Sequence, residues 1–150
     1  MKDSAKIILE EELNILKQRI INNHLAAGQK ASGRTIASLN VESDRTSAAL
    51  FGRKAIGTLE TGRKPGRVPK GFYYIIQKWV IDKGLTFDSV RERNTVAYVV
   101  SKKIAAEGTT LFKSGGRSDI YSSEIKETSE NIRERIAKDY VESIINIKIN

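Results

Sequence analysis

Six basic side chains are the groups in this chain best placed to do chemistry: Arg63, Lys64, Arg67 and Lys70 in one stretch, Lys113 and Arg117 in another. Their chemistry is charge pairing, with phosphates or with the carboxylates of an acidic protein surface. Covalent catalysis finds few components. The one histidine, His24, follows Ile20 by four residues near the end of an apolar helical run, a setting for a semi-buried structural ring. There is no cysteine, so disulfides and thiolate chemistry are excluded. A metal would have to be held by carboxylates, and no Asp/Glu spacing resembles a calcium loop. Glu10, Glu11 and Glu12 point in three directions on a helix and read as a solvated or dipole-complementing segment. No serine lies in a Gly-x-Ser-x-Gly turn. These readings predict no enzyme, no metal and no cofactor.

The segment Gly62-Arg63-Lys64-Pro65-Gly66 has the glycine and lysine of a phosphate loop but not the spacing, and its proline removes an amide donor that a phosphate cradle needs. Trp79 and the Phe72-Tyr73-Tyr74 cluster have faces on which bases stack. At helical spacing, however, Phe72 and Trp79 read as core, with Tyr73 and Tyr74 free to reach a surface. The formal net charge of +8 is unevenly distributed: residues 1–27 sum to 0, residues 28–117 to +10 and residues 118–150 to −2. The basic excess therefore sits with the two basic stretches. A solvated surface is the plainest use of such a run, and an anionic partner is the specific one.

Positioning these groups falls to the elements around them. A chain of 150 residues, 39% hydrophobic and 29% charged, suits one domain with one core. The N-terminal residues are interrupted by Glu10, Glu11, Glu12, Lys17 and Arg19, so they lack the apolar core of a signal peptide or membrane span. Instead Leu9, Leu13, Leu16 and Ile20, with Ile8 and Ile15, predict a long amphipathic helix over 4–27, stopped by Gly28. Alternation through Ala37, Leu39 and Val41 predicts a strand from Thr35, and Ser43-Asp44 a turn into a second strand, making a hairpin over about 35–52. The basic loop 57–71 is punctuated by Pro65 and Pro69, so a helix begins only after it. That helix, 71–83, carries Phe72, Ile75, Ile76, Trp79 and Val80 on one face and ends at Gly84.

Ser89-Val90-Arg91-Glu92 is a capping box that opens a helix over 90–107, with Val90, Ala97, Val100 and Ile104 inward and Gly108 as its stop. Thr109 to Asp119, with Gly115-Gly116 between Lys113 and Arg117, has no period and reads as a mobile contact loop. Helical period returns over 123–142 through Ile125, Ile132, Ile136 and Tyr140. Strict alternation from Ile145 predicts a last strand over 144–149, pairing within the chain or with a neighbouring subunit. The fold class is α+β: a small antiparallel sheet on a long N-terminal helix, two to three further helices, and two extended basic loops.

Certain of these stretches also match a known pattern. Leu59-Glu60-Thr61-Gly62-Arg63-Lys64-Pro65-Gly66 with Pro69, then Trp79 to Lys83-Gly84, then Ile104-Ala105-Ala106-Glu107-Gly108-Thr109, resemble in order and spacing the head-to-tail connector and tail-completion proteins of tailed bacteriophages. The likeness extends from about Gly33 to Tyr121. The run Leu111 to Ile120 is similar to versions from crAss-like phages. The resemblance implies a structural virion protein of the neck, made in the host cytoplasm. It would form a ring of its own copies, sixfold or twelvefold, between portal or adaptor and tail proteins, and line or seal the channel. The six basic residues would then meet a neighbouring ring or make weak, sequence-independent contacts with double-stranded DNA; no membrane is involved. The alternative from charge alone is a stand-alone nucleic-acid-binding protein, for which no helix-turn-helix, zinc or RNA-recognition signature is present.

Overall fold

A computed structural model describes residues 2–147 of the chain. The longest elements are its first and last helices, α1 (Lys2–Ala26) and α7 (Ser122–Ile147), which pack against each other. In α1 a four-residue spacing places Ile8, Glu12, Leu16, Ile20 and His24 on one buried stripe. Ion pairs run down the flanks of the antiparallel helix pair. Arg135 meets Glu11 at 2.5 Å and Glu12 at 2.8 Å, and Arg19 meets Glu127 at 2.7 Å and Glu124 at 3.3 Å. Glu12 is thus buried and paired rather than solvated, because the α1 stripe passes under Arg135. His24 is buried at the end of the same stripe, as its apolar setting suggested, with Nδ1 3.3 Å from the Gln29 side-chain oxygen.

Between these helices come α2 (Arg34–Ala37), strands β1 (Asn40–Ser43) and β2 (Ala48–Phe51), a 3-10 turn (Lys54–Gly57) and α3 (Thr58–Thr61). The strands pair antiparallel, Val41 opposite Leu50 and Ser43 opposite Ala48. Asp44 closes the turn by accepting from the amides of Thr46 at 2.7 Å and Ser47 at 2.8 Å, which hold its carboxyl down at about 2. The hairpin is shorter than its alternating sequence predicted. Thr35 lies in a helical turn whose last carbonyls are taken by Ser38 and Leu39, so extended chain begins only at Asn40. Leu39, Leu16, Ile20 and Ile120 form the first apolar core, with Leu50, Ile56 and Leu59 against it.

A second apolar core lies in the helical hairpin of α4 (Phe72–Asp82) and α5 (Val90–Glu107), where Ile76, Val80 and Ala97 meet. The capping box holds: Glu92 N–H donates to Ser89 Oγ at 3.1 Å, while the Glu92 carboxylate reaches back to the Asp88 amide at 2.8 Å. The apolar faces are narrower than the five-residue and four-residue stripes predicted. Ile75, Trp79 and Val90 are exposed, because α4 and α5 bury one seam between them and leave its flanks open. In α7 the buried position is Thr128, while Ile125 and Tyr140 face solvent.

The predicted mobile loop after Gly108 is instead partly helical, α6 (Thr110–Lys113), capped by the Thr109 side chain. The predicted C-terminal strand is also overturned as far as Ile147. No glycine or proline interrupts α7, so the helix adds a bond per residue without a new nucleus, and among the described residues the sheet has only β1 and β2. Residues 148–149 of that predicted strand lie outside the described residues. No helix among them is long and apolar enough to cross a membrane.

Candidate interaction surface

The surface is built outward from Glu60, which is 3% exposed and is the carboxylate that opens α7. Its Oε1 accepts from the amides of Ile120 at 3.0 Å, Tyr121 at 2.6 Å and Ser122 at 2.8 Å, and its Oε2 accepts from the Ser122 hydroxyl. Amides at a helix start carry partial positive charge and lack partners in their own helix. A carboxylate sixty residues away in sequence supplies one. Burial alone would push the Glu60 carboxyl up. The bonds from the Ser122 hydroxyl and from the Ser122, Tyr121 and Ile120 amides outweigh it, holding the carboxyl below its usual range. Glu60 also accepts on its backbone carbonyl from the Arg117 amide at 2.8 Å.

From Glu60 the chain passes into the first basic loop, which is fastened to the end of α5 and the start of α6. Arg63 N–H donates to Thr109 Oγ1 at 2.9 Å, Thr109 N–H returns a bond to the Arg63 carbonyl at 2.9 Å, and Gly66 N–H caps the Ala105 carbonyl of α5 at 2.9 Å. Two glycines make this approach possible. A β-carbon on Gly62 would stand 2.5 Å from the Phe112 amide nitrogen, and one on Gly108 would stand 2.7 Å from the Arg63 carbonyl oxygen. Both also have positive φ, +67° and +81°.

The six predicted residues now separate. Arg63 is half-buried, its guanidinium 5.2 Å over the Phe72 ring and donating at 2.9 Å to the Arg67 carbonyl. Lys64, Arg67 and Lys70 are exposed, and no carboxylate pairs with them among the described residues. Lys113 pairs with Glu107 at 2.9 Å, an exposed contact that also draws the Glu107 carboxyl down. Arg117 is held in a fork by Asp119 at 2.6 Å and 2.7 Å, so it braces the approach to α7 rather than presenting a free charge.

Two grooves flank Arg63. One, of about 470 Å³, is lined by Thr58, Thr61, Lys64, Pro65, Arg67 and Phe112. The other, of about 590 Å³, runs between α4, α5 and α6, with Phe72, Trp79, Ile104 and Leu111 as its apolar walls and Lys103 and Lys113 on its rim. Lys103 and the wall role of Trp79 were not legible in the sequence, since both depend on where α6 folds back. Thr109 carried a faint signal, sitting beside Gly108 at a predicted helix stop, and Glu60 lies two residues before Gly62 of the basic loop.

Comparison with family models, with curated proteins and with solved structures returns no match to this chain.

Proposed function

We propose that this chain is a ring-forming connector or tail-completion protein of a tailed-phage neck, joining portal or adaptor to tail around the DNA channel. One observation carries the reading. Two of the three sequence stretches on which the resemblance rests, 59–66 and 104–109, form a single hydrogen-bonded joint, and that joint presents Arg63, Lys64 and Arg67 beside an apolar groove. A joint of this kind is a stiff platform for protein docking, in which fixed backbone lowers the ordering cost of assembly. The work is geometric. The virion is the expected location, with copies of this chain, portal or adaptor, and tail proteins as partners.

Quantitative mass spectrometry of purified particles of the encoding phage, counted against the portal protein, tests this. A copy number equal to the portal's, or half of it, is expected, and absence from the particle overturns the proposal. Replacing Arg63, Lys64, Arg67 and Lys70 together by glutamine should block particle assembly while leaving the monomer folded.

The exposed and unpaired Lys64, Arg67 and Lys70 favour a second reading, stand-alone binding of nucleic acid. Five phosphate contacts would give a log–log salt dependence of about −4 to −5. On that reading the fourfold glutamine variant loses its DNA affinity, whereas a connector's contacts with DNA are feeble and vanish at physiological salt.

A further inference from the structure

The groove between α4, α5 and α6 is apolar inside and basic at its edge. Phe72, Trp79, Ile104 and Leu111 wall it above buried Ile76, and the charged residues that line it, Arg63, Lys103 and Lys113, are all cations. Its volume of about 590 Å³ lies within the range of about 300–1,000 Å³ typical of clefts that seat ligands. Trp79 is the only tryptophan of the chain, and it stands 39% exposed on the groove wall. An open tryptophan between apolar neighbours is the kind of side chain that anchors a contact. The groove is also preformed. The paired bonds between Arg63 and Thr109, with the Gly66 amide on the Ala105 carbonyl, fix α6 and the basic loop against the end of α5. An occupant therefore loses little to ordering the walls.

The rim is short of negative charge. Lys113 meets Glu107 at 2.9 Å, and Lys103 acts on that same carboxylate, so one acid serves two lysines. Arg63 has no carboxylate partner among the described residues. Its Nη2 donates to the Arg67 carbonyl, its Nε is buried without an acceptor, and its guanidinium is held over the Phe72 ring. A purely apolar occupant would leave these cations uncompensated. Nucleic acid suits the rim but not the walls, since it presents phosphates outermost and stacks its bases on open aromatic faces, whereas Ile76, Ile104 and Leu111 offer branched aliphatic surface.

We propose that this groove seats an acidic segment of another protein, one that places large apolar side chains against Trp79, Ile104 and Leu111 and carboxylates beside Arg63 and Lys103. Burial of the apolar side chains supplies the attraction, and the carboxylates set the direction in which the segment lies. The inference deepens the docking reading above and rests on it, because it names the chemistry of the segment that docks.

Selection on the full chain from a random peptide display library that omits tryptophan tests it, with Trp79 as the reporter. Enriched peptides should share large apolar residues with Asp or Glu beside them. Added to the protein, they should shift Trp79 emission to the blue and shield it from acrylamide quenching. Lys103→Glu, at an exposed position, should leave the thermal melt unchanged and weaken the peptides by about threefold to tenfold, whereas Lys103→Arg should bind as wild type does. A library that yields no binder overturns the inference, as do binders without acids, a Trp79 that stays silent, or affinity indifferent to Lys103→Glu. Duplex DNA that displaces the peptide and shifts Trp79 in the same way overturns it too, by showing that the groove takes phosphate. The neck reading is judged separately, by the particle copy number.

Discussion

Glu60 shows how much one side chain can hold. Its carboxylate terminates four donors at the mouth of α7, and its backbone carbonyl anchors Arg117, so a single residue joins the first basic loop to the last helix. Glu60→Gln keeps the shape and removes the charge that the helix start favours. A loss of about 1.5–3 kcal/mol in chemical denaturation is expected, the range for hydrogen bonds to a charged group. The pH dependence has a definite sign. Because the folded carboxyl is held below its usual range, the stabilisation is complete above that range and is lost as pH falls through the lowered folded value. Thermal melts across the acid limb should therefore be steeper for wild type than for Glu60→Gln. Exposed Asp44, held at about 2, adds to the acid sensitivity in the same direction and is common to both proteins.

At the scale of elements, the α1–α7 pair joins the first and last helices of the fold, and Arg135 ties them through Glu11 and Glu12. Arg135→Ala leaves Glu12 buried without its partner and should destabilise the fold more than losing Glu11 does, though less than breaking a fully buried pair, because Arg135 itself keeps solvent contact. Glu11→Ala removes only the exposed half and should cost under about 1 kcal/mol. Equilibrium urea unfolding separates the two. Helix ends were the most legible features in the sequence, because glycine stops and the Ser89–Glu92 box act locally: α4 and α5 begin and end within a residue of their predicted bounds. What a helix faces was not legible. Period places Trp79 and Ile76 on one side of α4, but only the breadth of the opposing element decides that Ile76 is buried and Trp79 stays 39% exposed. The hidden partners were the long-range ones. Glu60 reads as any acidic residue at the edge of a loop until α7 arrives to use it, and the short alternation after Ile144 reads as a strand until the uninterrupted helix before it is seen to continue.

At the scale of the whole molecule, the chain has two apolar centres with different reach. The α4–α5 centre is closed between residues 72 and 104, while the other gathers Leu16, Ile20 and Leu39 with Ile120. Segments with few shared contacts open separately, so native-state hydrogen exchange should resolve two sets of protected amides, α4 and α5 opening at a lower free energy than α1 and α7. Equal protection in both sets would show one cooperative unit. The sequence separation of 123 between Glu12 and Arg135 also imposes an order in time. A ribosome releases α1 long before it has made α7, so Leu16 and Ile20 can meet Leu39, Leu50, Ile56 and Leu59 early but meet Ile120 only near the end of synthesis. The first core is therefore completed last, when the chain from Ile120 into α7 reaches α1 and brings Arg135 to Glu12.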